Sequence, residues 1–397
     1  MRRKQYAVWY IYRHVGVRWY NMLWVSYCFV ICLLFLVQQV KFSQRKYVYT
    51  VIGFLIVILI AGNYTNLDYA NYRETYIYFE RFSHSKEWLY GILIRIFNQH
   101  LHFTYNGFRL VTSVIAVWIL IKSLFVFTDR PAMALLAFCT FPFFYYSTLY
   151  RTFLGLGLSI YAIRYLERFS VRNLAKYLCC ILILCGIHLL YAAYALFILC
   201  YFMNKSKIIK VVIGIAVILT LTVSLFPDTL IMVVRSALGV LGDTDRMNAY
   251  ANIVGTRNGY LIWWALQILQ FLIAKRAYEI SLVWKQSQTG FENEKQIAFI
   301  KNVYYIVLIS FLFCPLYRVQ ANFARIMLGE MPLLFLQWQC LKDMQNDYKE
   351  IAVLEQSVYV WSYLAMFGIE IIGVGGLWKS VVVEMLTHNW IIELLPI

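Results

Sequence analysis

Charge is what this sequence has least of. Asp, Glu, Lys and Arg make up 14% of its 397 residues, against about 25% in a typical soluble domain, and this deficit excludes a water-soluble globular chain. Missing motifs narrow the chemistry further. There is no P-loop pattern, no HExxH, no CxxC and no GxSxG, which disfavours a P-loop ATPase, a zinc protease and an α/β-hydrolase. Clustered acidic residues that would hold a metal ion are also missing, so mechanisms needing neither metal nor cofactor are expected. No Pro-rich linker, internal repeat or soluble domain interrupts the chain, and residues 1–397 are expected to form a single integral membrane domain. The basic N-terminus "MRRKQYAVWYIYRHVGVRWY" lacks a short apolar core ending in a small-residue cleavage site, so the first apolar span is expected to be retained.

What the chain has in abundance is apolar runs long enough to cross ~30 Å of hydrocarbon as helices. They read as Tyr20–Val40, Tyr47–Ala61, Gly107–Phe127, Ala132–Tyr150, Thr152–Leu166, Tyr177–Phe202, Ile208–Phe226, Tyr260–Ala274, Ile297–Cys314, Ile326–Leu341 and Val358–Trp378. The expected fold is therefore all-α: a polytopic membrane protein with about 10–12 transmembrane helices and outer-face interfacial helices. The nine cysteines lie mainly inside these runs and read as small buried hydrophobes. A net charge of +16 comes largely from short basic loops, which points to membrane topology and anionic lipid, with no nucleic acid partner.

Assigning those basic loops to the cytoplasm leaves three longer segments outside, residues 62–106, 227–259 and 315–325. The first is rich in Tyr and Phe and has apolar positions at helical spacing (Trp88, Ile92, Ile96), so one or two helices along the membrane surface are expected. Two features resist the charge rule. The N-terminus and the loop Lys41–Lys46 are both basic but separated by one span. Arg164–Lys176 and Lys205–Lys210 are likewise both basic, with Tyr177–Phe202 between them. Either the rule fails there, or the segment enters and turns back near Gly186, which would bring His188 close to its tip.

A few polar residues stand out against this background. Arg151 sits between two apolar runs; an arginine there either snorkels to the interface or binds an anion, since its planar fork matches phosphate oxygens. Arg318 and Arg325, in "CPLYRVQANFARIMLGEMP", allow the same two readings. His188, the one histidine inside an apolar run, is either a satisfied core residue or a neutral imidazole able to take a proton from an attacking hydroxyl. Asp68, in "NYTNLDYANYRETY", either caps a following helix or belongs to a sugar-binding surface. Around it, Tyr69, Tyr72 and Arg73 are the residue types a sugar surface uses: flat rings for pyranose faces and hydrogen bonds for hydroxyls.

The order of these features resembles one family. "LDYANY" (Asp68 to Tyr72) is followed by "KEWLYGILIRIFNQ" from Lys86, "YRTFLGLGLSIYAIRYLE" with Arg151, "GIHLLYAAY" with His188, and "FARIML" with Arg325. The chain is thereby similar to the EpsG family of Wzy-like polymerases of exopolysaccharide, capsule and O-antigen repeat units, over roughly Tyr47 to Leu341. The resemblance implies an enzyme of the bacterial plasma (inner) membrane. It would transfer a growing glycan from undecaprenyl diphosphate to another lipid-linked repeat unit at the outer face, alongside a flippase and a chain-length regulator. It further implies that Arg151, Arg318 and Arg325 neutralise the diphosphate, that His188 or Asp68 takes the acceptor proton, and that Tyr69, Tyr72 and Arg73 contact sugar. A lipid-linked oligosaccharide flippase and another lipid-sugar glycosyltransferase or ligase are the competing readings.

Overall fold

The computed structural model describes residues 42–66, 68–82, 86–140, 142–226, 259–287, 294–319, 321–344 and 384–394, with the single positions 232 and 236. The expected spans Tyr20–Val40 and Val358–Trp378 and all but positions 232, 236 and 259 of the expected outer segment 227–259 lie outside the described residues. Those described are helical throughout, relieved only by turns and one isolated bridge between Asn63 and Asn389. Three stretches, Tyr105–Leu124, Ser206–Leu225 and Glu294–Arg318, are long and apolar enough to cross a membrane. The second shows why hydrocarbon must surround it: Val211, Ile218 and Leu225 are 58%, 63% and 70% exposed, an apolar surface that water would not tolerate. The protein is an all-α membrane protein.

The chain divides into two compact units. The first comprises Met1–Ile160, Gly186–Leu189 and Val374–Ile397. Its frame is α1 (Phe42–Gly62), α2 (Tyr69–Ile77), α3 (Trp88–Arg95) and α4 (Tyr105–Leu124). It continues through α5 (Ala132–Thr140), α6 (Phe143–Thr148) and α7 (Tyr150–Ala162). Thr104 starts α4 by accepting a hydrogen bond from Gly107 N–H at 3.2 Å, which satisfies one of the donors every helix start leaves open. The expected single span Ala132–Tyr150 is instead two short helices. Pro142 stands at their junction, where its ring and missing N–H forbid a continuous helix. In the aromatic segment 62–106 the expected helices are α2 and α3. On α3, Tyr90 and Ile94 are buried while Trp88, Ile92 and the following Ile96 are 40–46% exposed, a stripe suited to a headgroup boundary.

Helices in this unit approach closely through glycine. A methyl group on Gly157 of α7 would lie 2.5 Å from the backbone nitrogen of Leu120 and 2.8 Å from its Cα, so α7 rests directly on the backbone of α4. Backbone cannot swing aside as a side chain can. Gly157→Ala is therefore expected to lower stability by about 1–3 kcal/mol, read as a drop in thermal midpoint of the detergent-purified protein. An unchanged midpoint would mean that the helices are not in contact there.

The second unit comprises Tyr161–Cys185 and Leu190–Gly373. It contains most of α8 (Val171–Ile187), then α9 (Ser206–Leu225), α10 (Tyr260–Ser287), α11 (Glu294–Ser310), α12 (Cys314–Val319) and α13 (Arg325–Met344). Helices α10, α11 and α13 are joined by polar side chains reaching across: Gln337 donates to Ile300 O at 2.9 Å and Ala274 O at 3.3 Å.

The segment between the two basic loops reverses. After α8 the chain breaks at His188 and returns as a 3₁₀ helix, Leu189–Tyr201. Tyr177 OH donates to Tyr194 O at 2.7 Å, although in a continuous α-helix those residues would be about 25 Å apart. At the open end Tyr201 OH reaches Tyr165 O at 2.6 Å. The tighter winding of the return limb has a geometric use. Its 13 residues at about 2.0 Å rise match the length of the 17 in α8 at about 1.5 Å. Both basic loops thus lie at one end of a helical hairpin, the arrangement that the turning-back alternative requires.

Candidate active site

At the closed end of that hairpin, His188 meets a carboxylate to which the sequence reading gave no role. Glu87 directly precedes α3 and is 2% exposed, and it makes no side-chain cap to that helix. Its oxygens are turned elsewhere: Oε1 accepts from His188 Nδ1 at 2.7 Å and from Leu189 N–H at 3.1 Å, and Oε2 accepts from Arg151 Nη1. Burial pushes the Glu87 carboxyl up, but the His188 hydrogen bond, the Arg151 charge, the charge of a protonated His188 and the Leu189 N–H together outweigh it and hold it at about 2. Glu87 is therefore ionised at neutral pH. The hairpin tip is seated by Gly186, where a methyl group would come within 2.8 Å of Trp88 and Leu89 side-chain atoms.

Arg151 occupies the first turn of α7 with its side chain 24% exposed. Its guanidinium lies 5.2 Å from the Tyr72 ring centre and 5.7 Å from that of Tyr90, a cation–π cage that replaces part of the lost hydration. One carboxylate does not exhaust an arginine's five donors, and Arg151 Nε is buried with no hydrogen-bond partner. The Tyr90 hydroxyl is likewise buried and unpartnered, and burial raises its pKa well above the usual tyrosine value. A largely buried arginine with unsatisfied donors, about a quarter of its side chain still open, suits an incoming acceptor such as a phosphate oxygen.

A second arginine, also missed from sequence, builds the floor. Arg109, inside the apolar run of α4, is 1% exposed and donates to the carbonyls of Ile60 (2.7 Å) and Asn63, neutralising the C-terminal end of α1. The Tyr150 hydroxyl donates to Arg109 O at 2.8 Å and lies 2.6 Å from Thr112 Oγ1. Through Tyr150, α4 fixes the residue next to Arg151.

Asp68 stands at the N-cap of α2 but makes no capping hydrogen bond there, so the capping reading is not met. Tyr72 faces Arg151. Tyr69 and Arg73 point from another face of α2 into a separate cavity of about 820 Å³. Arg318 and Arg325 belong to the second unit. Arg318 donates to the carbonyls of Val223 (2.8 Å) and Ser224 (3.0 Å), closing the C-terminus of α9, and stacks 5.3 Å from the Tyr260 ring centre. Arg325 opens α13 and is half-buried. Among the described residues no three His, Cys, Asp or Glu side chains gather as metal ligands would.

Glu87, Arg151 and His188 come from three separate stretches, each within one of the quoted motifs. The carboxylate orients the imidazole through Nδ1, which makes Nε2 the basic nitrogen of the neutral ring, while the same carboxylate holds a cation alongside. The cluster can thus remove a proton from a hydroxyl and neutralise an anion within a single constellation. No curated protein sequence and no solved structure matches the chain. A family model does match, over residues 46–380, and by that match the chain belongs to the EpsG family.

Proposed function

We propose that this membrane protein of polysaccharide biosynthesis is a glycosyltransferase that polymerises lipid-linked repeat units at the outer face of a bacterial plasma membrane. The observation that carries the reading is the shared carboxylate: Glu87 holds His188 Nδ1 and Arg151 Nη1 at once.

In the proposed step a hydroxyl of the acceptor repeat unit attacks the anomeric carbon of the donor glycan. The new C–O bond forms as the bond from that carbon to the diphosphate oxygen breaks. His188 Nε2 takes the hydroxyl proton, and undecaprenyl diphosphate leaves with the bonding electrons. Electrostatics couple the two ends of this reaction. In the proposed reactive form His188 is neutral, and Glu87 and Arg151 cancel each other's charge beside it. Once His188 is protonated, the cluster carries one net positive charge, in step with the negative charge gathering on the leaving diphosphate. The part of the Arg151 side chain left exposed is available to that group. Arg325 and Arg318, on the second unit, are proposed as diphosphate-binding residues in their own right, Asp68 as an alternative proton acceptor, and Tyr69, Tyr72 and Arg73 as sugar contacts.

Purified protein in liposomes, supplied with lipid-linked repeat units and no nucleotide, is expected to yield a ladder of products differing by one repeat unit. Translocated single units without a ladder would instead support a flippase, and transfer to a non-glycan acceptor would support a ligase.

A further inference from the structure

The cavity of about 820 Å³ beside α2 is built largely from polar and aromatic side chains, among them Tyr64, Tyr69, Arg73, Glu74, Trp390 and Glu393. Trp390 and Glu393 belong to α14 (Trp390–Glu393), beyond the residues 46–380 that match the family. That short helix is firmly tied down. Asn389 caps it, accepting from Ile391 N–H at 3.1 Å, and donates to Ile58 O at 2.8 Å near the end of α1. Trp390 Nε1 donates to Ala61 O at 3.0 Å. Within the lining Tyr64 OH donates to Glu393 Oε1 at 2.8 Å, and Tyr69 OH to Asn106 Oδ1 at 2.6 Å. The lining is therefore pre-shaped, and binding would cost little ordering of side chains.

Its chemistry is that of a saccharide site: ring faces for the apolar face of a pyranose, and carboxylate, guanidinium and amide groups for hydroxyls. The volume lies within the range of small-ligand pockets. Helix α2 stands between this cavity and the candidate active site. One face carries Tyr72 under the Arg151 guanidinium, and another presents Tyr69, Arg73 and Glu74 to the cavity.

We propose that this cavity is a recognition subsite, completed by the C-terminal Trp390 and Glu393, for the sugars of a lipid-linked repeat unit that lie away from the diphosphate. The lining sets two carboxylates, Glu74 and Glu393, against one guanidinium, Arg73, so it selects neutral or amino sugars over uronic acids. This rests on the polymerase reading for the identity of the ligand but not for the existence of the site.

The test uses the full-length protein in nanodiscs. The probes are the host's own repeat-unit oligosaccharide, released from its lipid by mild acid, and an oligogalacturonate. Wild type is expected to bind the first and to bind the second at least tenfold more weakly. Trp390→Ala, which also removes the bond to Ala61, and the exposed double variant Arg73→Ala/Glu74→Gln are each expected to weaken repeat-unit binding at least tenfold. The double variant is expected to keep the wild-type melting temperature and, in the ladder assay, to raise KM more than it lowers kcat. No binding by wild type, equal binding of the uronate, or unaltered binding by the double variant would overturn the inference. Oligosaccharide binding without any product ladder would leave this subsite standing and remove the polymerase reading. A ladder from wild type with unchanged KM in the double variant would do the reverse.

Discussion

His188→Ala is expected to slow glycan elongation about 10²–10⁴-fold, the usual contribution of a positioned general base. Glu87→Gln is expected to fall in the same range. Glutamine can still accept from His188 Nδ1, but it carries no charge to stabilise the imidazolium, and its amide can orient the ring the wrong way round. Because the two residues act as one unit, the double variant should be little slower than either single one. The measurement is the initial rate of ladder formation by purified variants. A His188→Ala enzyme within a few-fold of wild type would remove this residue from the chemistry and return attention to Asp68.

The two variants part company in stability. Glu87→Gln leaves Arg151 largely buried without its counter-charge, and breaking a buried pair by removing one partner costs roughly 3–5 kcal/mol. The pH dependence carries the same information. The Glu87 carboxyl is lowered from 4.5 to about 2, so its contribution is fully present above about pH 4.5 and is lost as pH falls towards 2. The stability difference between wild type and Glu87→Gln should therefore shrink across that window. A constant difference would mean that Glu87 is not held ionised by its partners.

Arg151→Ala is expected to reduce elongation about 10²–10³-fold, in line with loss of one pre-organised group facing a developing negative charge. In cells this should appear as single repeat units left on lipid in place of long chains. Arg151→Lys is the sharper probe. An ammonium can still pair with Glu87, but it cannot hold that carboxylate through one arm of a planar fork and offer other N–H groups to a diphosphate. Lysine should thus restore most of the folding stability while recovering little of the rate. Full recovery of the rate by lysine would show that Arg151 serves only as the counter-ion of Glu87. Because of this pair, the alanine variant is expected to be less abundant than wild type, unlike a variant of a snorkelling arginine.

Much of this architecture can be read locally. Low charge and recurrent apolar runs require helices in hydrocarbon, because only there can such runs be buried and their backbone groups satisfied. Arg151 and His188 stand out as polar residues where none should be affordable, and Tyr69, Tyr72 and Arg73 as an aromatic and polar cluster, with no knowledge of what they touch. Pro142 in principle announces its own helix break, and Arg109 its own oddity inside an apolar run. What no local pattern contains is pairing at a distance. Glu87 resembles any helix-initiating acid until the fold sets it against Arg151, 64 positions away, and His188, 101 positions away. Basic loops on both sides of Tyr177–Phe202 signalled a conflict without choosing its solution, and only the bond between Tyr177 and Tyr194 decides for a hairpin. The sequence by itself determined a helical membrane protein and the candidate groups that stand out within it. Tertiary structure alone decided which charge answers which, since the free energy of a buried ion depends on the atoms that replace its water and not on its neighbours in the chain.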